Sequence, residues 1–597
     1  METPMTNEDQ VKDIIHRWRN TPEDNLKPED YEQFKSLGSA SLTQGDGAQL
    51  LEFLQEEKNQ GMVRSMGCVL MAPLLTRVVK KEEESLDHCQ AAITHLTTTC
   101  RPNPLVHSLL ELIEDIDPGA ISDTVLAVIP HLQTVLLQLD GDRKAASVGS
   151  ALSGLHGQLA RLPVPYTRPQ EEADEHGLCR GYGALAALAR PFVEEVKGGN
   201  GDRHEEAELR TELLKFCMRS LREPLLEAEL NRDSKSPLWL FATEIMRSLP
   251  AIQEPPSELL FFSPPKTKKK RSAQLDGAEA EEARACAAYL LHVQLIGIDS
   301  FPAVFSPLFV LQRNLDYVGQ LLSSKKESHL LKGLALFAKS LERVPDHSLA
   351  VGLLELKSFY SAPRNLREVL TDCPMQHLRQ SGLQVFQLFI DKLDAEAKHK
   401  FFRCMLKTSN HAGVESYIIK NIRNQVEFSM KPGNADKSFL GAELLPLMGL
   451  VLCLPQGAET DLLTSMDRIM ESLNLLRYLL LREADLRSTT DVWEELSGIK
   501  DEYLTVLRVG LGISRGCYSS ELKALREDRK LKAREAREAS RSSRLLKSIT
   551  VRHEEGSNMS PEAQHQVLQS ALVTFDLMES LIFRIEEIAE EKLKIPN

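Results

Sequence analysis

The sequence predicts an all-α fold, with irregular HEAT-like helical repeats forming an elongated solenoid in two blocks. Three observations carry this. Apolar residues recur at three- and four-residue spacing along most of the 597 residues, which is the signature of amphipathic helices. Breaks rich in Pro, Gly and Asn interrupt the pattern roughly every 15–25 residues, as stacked helix pairs require. The chain is 42% apolar but only 6% aromatic, a balance that favours helix on helix over a β sandwich. No strict repeat motif is present, so the array is degenerate. At one domain per ~150 residues, the length allows about four units.

From the N-terminus, residues 7–80 read as several helices, with Gly38 to Gly47 (GSASLTQGDG) as a polar loop between two of them. Gln49 to Glu56 and Val63 to Val79 carry helical spacing. The pattern continues over 85–160, broken at Arg101-Pro102-Asn103-Pro104 and at Asp117-Pro118-Gly119. Leu162 to Gly177 is a proline segment followed by an acidic loop. Pro163, Pro165 and Pro169 have the spacing of a polyproline ligand, but proline is ordinary at helix breaks, so a connector is the preferred reading. Helices resume at Leu178–Val196, Glu205–Leu221 and Leu238–Leu249, with Lys197 to Asp202 as a flexible loop.

Pro250 to Glu282 is the clearest boundary. It passes from prolines through the basic cluster Lys266–Arg271 to a polar acidic tract. It predicts a flexible linker over 251–282, between an N-terminal helical block (1–250) and a C-terminal one (283–597). The basic cluster has the composition of a nuclear-import signal. The second block holds helical spacing at Leu290–Ile298, Leu308–Leu322, Leu330–Leu341, Leu366–Leu370, Leu378–Leu393, Lys398–Leu406, Gly413–Phe428, Ala442–Leu454, Asp461–Leu481 and Leu496–Leu511. Its most legible element is Leu454–Leu481. A Pro455-Gln456-Gly457 turn should open a helix with Glu459 and Asp461 in its first turn, where carboxylates complement the dipole. Met466, Ile469, Met470, Leu473, Leu476 and Leu480 form one stripe, with Asp467, Glu471, Asn474 and Tyr478 on the other side. Residues 519–547 are highly charged with few apolar anchors. They read as a solvated helix or a disordered insert, and a mobile insert is the expectation. Ser548–Val551 reads as extended. The last helix opens at Ser560-Pro561-Glu562, and its stripe is Leu568, Leu572, Phe575, Leu581, Ile582 and Ile585.

The net charge of −14 argues against non-specific nucleic-acid binding over the whole surface. The ten cysteines include no C-x-x-C pair and no zinc-finger spacing. They read as small buried hydrophobes of a reducing compartment. The N-terminus lacks the pattern of a secretory signal, and no uncharged apolar run of about eighteen residues occurs. The expectation is a cytoplasmic protein, with nuclear access as the second compartment, and no membrane insertion.

Gly512-Ile513-Ser514-Arg515-Gly516 matches the G-x-S-x-G nucleophile elbow, and His553 or His565 could serve as its base. That motif needs a strand before it and a parallel sheet beneath it, and no alternating βα pattern precedes it. A loop with helix-stopping glycines is the preferred reading. Gly181-x-Gly183-x-x-Ala186 fails the context of a dinucleotide fingerprint and suits close helix packing better. Cys404 and His411 read as a buried thiol beside a loop histidine. No catalytic, cofactor-binding or metal residues are expected, and the chain reads as a non-enzyme.

Two runs then carry a resemblance: Phe402 to Gln425 (FRCMLKTSNHAGVESYIIKNIRNQ) and Gly457 to Leu480. Shorter pieces support them, at Leu162–Tyr166, His176–Cys179, Pro191–Val196, Leu213–Leu226, Ser306–Leu308 and Thr574–Glu587. The chain closely resembles the glomulin family over essentially its full length. That resemblance implies irregular HEAT-like repeats. It also implies binding to the RING domain of the small RING subunit in cullin–RING ubiquitin ligases, which masks the surface that recruits the ubiquitin-conjugating enzyme. The C-terminal block would carry that face. A link to FKBP-type immunophilins is implied as well, so an immunophilin or receptor-tail adaptor is the alternative. Candidate partner contacts are outward polar and aromatic positions: Arg423, Asn424, Arg477, Tyr478, Arg508, Asp576, Glu579 and Arg584.

Overall fold

The structure, a computed structural model, describes residues 7–22, 25–81, 86–198, 204–230, 236–262, 277–433, 436–482, 490–542 and 561–593. Helices dominate, and among the described residues no strand forms. A single isolated bridge joins Leu349 and Leu393. The fold is all-α, built from helices that pack on their neighbours in chain order.

Two compact units divide the chain, Met1–Arg343 and Val344–Asn597. This division falls later than the linker expected at 251–282. The reason lies in the packing. Pro256–Phe261 is a short helix, and Phe261 is buried at the centre of an aromatic cluster. Its ring meets Phe301, Phe305 and Phe309 edge-on at 5.0–5.5 Å, and the Tyr317 hydroxyl donates to the Leu260 carbonyl at 2.6 Å. Arg222 reaches across to Glu279 at 2.6 Å and to Glu282 at 3.3 Å. Residues on both sides of the expected linker therefore share one core. The basic cluster Lys266–Arg271 lies outside the described residues.

Other expectations shift for local reasons. The expected Gly38–Gly47 loop is shortened to a turn at 44–46, before the next helix opens at Gly47, because helix Pro28–Thr43 runs into it. Gly38 is buried there, and a Cβ would stand 2.4 Å from Leu70 Cδ2, so glycine permits close approach rather than a turn. Gly181 does the same against Leu159 at 2.4 Å, as the packing reading of that motif expected. Pro163 and Pro165 lie in a connector, and Pro169 sits in the first turn of helix Arg168–Ala173. Two stretches of the first unit, Glu57–Lys80 and Pro118–Leu137, are apolar and long enough to cross a membrane. In each, about half of the most apolar window is buried inside the protein (56% and 44%). Cys68, Cys89, Cys100, Cys179, Cys217, Cys286 and Cys373 are buried thiols, Cys404, expected to be buried, is half-buried, and Cys453 and Cys517 are exposed.

In the second unit, Lys357–Asp372, Gln376–Lys392, Ala395–Thr408, Ala412–Ser429, Leu445–Val451 and Met466–Leu481 lead to a long helix, Thr490–Ser542, and a terminal helix, Pro561–Leu593. The long helix has 53 residues, or about 80 Å. It absorbs most of the expected insert, since residues 519–542 are helical. Residues 543–547 and the Ser548–Val551 piece lie outside the described residues. The helix also contains Gly512–Gly516. The glycines do not stop it, and Ser514 sits mid-helix with no strand before it, so the nucleophile-elbow geometry is absent here.

Candidate partner surface of the C-terminal helices

Helix Met466–Leu481 starts five residues later than its Asp461 expectation. Glu459 therefore lies in a preceding 3-10 turn, Gly457–Glu459, and not in the first helical turn. Asp461 folds back instead: its carboxylate accepts from the Leu463 amide at 2.9 Å and from the Tyr518 hydroxyl at 3.1 Å. Ile469, Leu473, Leu476 and Leu480 are buried as the stripe requires, and Asp467 faces out.

One charged residue breaks the two-face pattern. Arg468 is buried, and its guanidinium donates to Glu415 at 2.8 Å and to the Leu450 and Cys453 carbonyls at 2.9 and 3.1 Å. Ser472 adds a bond to the Val451 carbonyl at 3.1 Å. Burial pushes the Glu415 carboxyl up, and the attraction of Arg468 only partly offsets it. This buried pair locks helix Ala412–Ser429 to helix Met466–Leu481 and to the end of helix Leu445–Val451. It fixes the frame from which the outer positions project. His411, expected as a loop residue, caps the Ala412–Ser429 helix by accepting from the Val414 amide at Nδ1 (3.4 Å).

The eight sequence candidates fall into two groups. Arg423 and Asn424 lie on helix Ala412–Ser429, and Arg477 and Tyr478 lie on the Met466–Leu481 helix packed against it. Asn424 and Arg477 are exposed, whereas Arg423 and Tyr478 are half-buried. Burial raises the Tyr478 phenol and Glu427 adds to the rise, with Arg482 and Arg423 pulling the other way. The second group lies on the antiparallel pair formed by the long and terminal helices. Arg508 pairs with Glu586, and Arg584 reaches Glu587 at 2.8 Å. Asp576 and Glu579 are held by one guanidinium, that of Arg515, at 2.6 and 2.9 Å.

Arg515 was not among the sequence candidates, yet it joins two of them. Beside it Tyr518 stacks on Phe575, with ring centroids 5.5 Å apart. Burial, with Asp461 next, pushes the Tyr518 phenol up to about 12. Exposed apolar side chains were also missed. Val573 and Leu577, four residues apart on the terminal helix, are 60% and 54% exposed, and Phe583 is 62% exposed. Val509 and Ile513 repeat the same spacing on the long helix. Their signal in the sequence is an i, i+4 apolar pair outside each buried stripe. Within each stripe, Leu572 and Leu581 are only half-buried, and Met578 takes a core place instead. This pair of helices thus offers apolar anchors framed by charged rungs, the composition of a protein-binding surface. Among the described residues, no group of three or more His, Cys, Asp or Glu side chains is placed to hold a metal ion.

The family model described as "Uncharacterised protein family, YAP/Alf4/glomulin" matches residues 5–571. Glomulin of Homo sapiens is 41% identical over 598 residues, covering 98% of each chain. The chain belongs to the glomulin family. Glomulin of Mus musculus is 40% identical over 597 residues, again across 98% of both chains. A circular tandem repeat protein of known structure aligns over 98% of this chain and 97% of its own, at 11% identity and a TM-score of 0.16, too distant to bear on the fold.

Proposed function

We propose that this chain is a non-catalytic inhibitor of cullin–RING ubiquitin ligases. It binds the RING domain of the small RING subunit and blocks recruitment of the ubiquitin-conjugating enzyme. The observation that carries the reading is membership of the glomulin family across nearly the whole chain, at 41% identity. The outer face of the terminal helix pair supports it. A RING domain presents a small, partly apolar surface to its conjugating enzyme. A competitor must cover it with an interface on the order of 800 Å² per partner. A surface on packed helices loses little entropy on binding, because its frame is already ordered. Val573, Leu577 and Phe583 supply apolar contact, and the rungs around Arg515 and Arg508 supply orientation. No chemistry is required, only mutual exclusion. The proposed compartment is the cytoplasm, with access to the nucleus.

The test is a reconstituted ubiquitin-transfer assay with a cullin–RING complex, its conjugating enzyme and increasing amounts of the full chain. The reading expects inhibition that excess conjugating enzyme relieves. Full transfer activity in the presence of folded, helical protein would reject it and leave an immunophilin or receptor-tail adaptor as the successor.

A further inference from the structure

The long helix does more than pair with the terminal helix. Their cross-helix contacts end at Arg529 and Glu562, 3.4 Å apart, and the terminal helix begins at Pro561. The long helix continues for 13 residues past Arg529, about 20 Å, to Ser542. Residues 526–535 are all exposed.

Along this stretch the cations are not scattered. Lys523, Arg526, Lys530 and Arg534 recur at three- and four-residue spacing, so they fall on one face of the helix. The row runs from Lys523 to Arg534, about 17 Å. Asp528 and Glu535 fall on the far side of the helix, and Glu527 flanks the row. Elsewhere on this helix pair the arginines meet carboxylates: Arg508 with Glu586, Arg515 with Asp576, Arg529 with Glu562. Off the row, Lys532 pairs with Asp528 at 2.9 Å. On the row and among the described residues, Arg526 meets the His565 ring at 3.4 Å, and no carboxylate pairs with Lys523, Lys530 or Arg534. In a chain of net charge −14 a line of cations with no carboxylate partner among the described residues is a departure that calls for an anionic counterpart.

We propose that this row is a docking strip for an acidic protein segment, an Asp/Glu-rich stretch laid along about 17 Å of the helix. A protein segment fits better than a nucleic acid for three reasons. The row carries no aromatic side chain on which a base could stack. Glu527 beside it would repel a continuous phosphate backbone, whereas discrete carboxylates can be spaced around it. The charge of the whole chain opposes the approach of a long polyanion but is screened beyond about 8 Å for a short segment. The strip starts beside the apolar anchors, where Arg526 and Val573 line one surface pocket, and runs from there along the long helix past the last cross-helix contact, so it adds a second contact to the proposed RING surface.

The experiment measures binding of fluorescein-labelled poly-L-glutamate to the full-length chain by anisotropy, at low and at physiological salt. The triple variant Lys523→Glu, Lys530→Glu, Arg534→Glu should bind ~10-fold or more weakly, with a flatter salt dependence. These side chains are exposed, and circular dichroism should show unchanged helicity. A second triple variant, Lys35→Glu, Lys407→Glu, Lys420→Glu, makes the same change in net charge on other helices and should bind like the parent. Equal loss in both variants would overturn the strip, because net charge alone would then explain binding. A labelled oligothymidylate that binds as tightly as poly-L-glutamate, and is lost in the same first variant, would overturn the acidic-protein assignment in favour of a nucleic-acid site.

Discussion

Two ion-pair systems in the second unit look alike on paper and do opposite work. Glu415 and Arg468 are buried, with 5% and 10% of their side chains accessible. Asp576, Glu579 and Arg515 are open to solvent at 68%, 61% and 38%. The buried pair is surrounded by backbone carbonyls and cannot exchange its partner for water, so losing either side strands a charge. The open rungs exchange freely with water and add little to stability. The buried system therefore sets the geometry of the frame, and the exposed one is free to be re-used by a partner.

The sharpest way to break that contrast is to remove one buried charge. Arg468→Ala should destabilise the second unit by about 3–5 kcal/mol in urea denaturation, because Glu415 is left without compensation. Replacing both, as Glu415→Leu with Arg468→Met, should recover most of that loss; if the double variant is as unstable as the single, desolvation is not the cause. Next in size is a change that the frame should ignore and the partner should feel. Leu577→Asp should leave the melting temperature unchanged but weaken inhibition of ubiquitin transfer ~10-fold or more, as loss of a buried interface anchor does. A parallel fall in melting temperature would place Leu577 in the core instead.

A third prediction contrasts the units by pH. In the first unit, burial pushes the Cys100, Cys179, Cys217 and Cys286 thiols up to about 12 from the usual 9.0. A raised folded value means the protonated thiol is favoured in the native state. The contribution is complete below 9.0 and is lost as pH rises towards 12. Lys332, pushed down to about 8 by burial, works in the other direction over its own range. Four thiols outweigh one amine, so alkaline denaturation monitored by limited proteolysis should attack the first unit from about pH 9. That lies below the ordinary phenol value of 10.0, above which the raised phenols of Tyr503 and Tyr518 begin to weaken the second unit. Cys217→Ala should flatten that dependence. The smallest effect is reserved for the open rungs: Arg515→Ala should cost under about 1 kcal/mol of stability, and a larger loss would show that the rung is structural.

Much of the fold was legible because apolar period and breakers point the same way. Helices such as Pro307–Leu322, Gln376–Lys392 and Met466–Leu481 lie close to where spacing places them. What failed shares one physical cause: glycine, proline and charge are ambiguous until the neighbours are known. Gly38 reads as a loop but serves close packing against Leu70. The proline-rich start of the 251–282 stretch reads as linker but ends in Phe261, which three other phenylalanines enclose. Arg468 is invisible as a core residue because its match, Glu415, lies 53 positions away. At the surface, periodicity puts Asn424 and Arg477 outward, as the structure has them, but it does not reveal that Arg423 and Tyr478 are half-buried or that Arg515 bridges Asp576 and Glu579. Their roles depend on which side of each helix the partner helix covers.

The most direct measurement is whether labelled conjugating enzyme still binds the RING subunit when the full chain is present at saturation. The enzyme should be displaced, with no ternary complex formed. A stable complex of all three, with the chain bound to the RING subunit, would contradict exclusion at a shared surface.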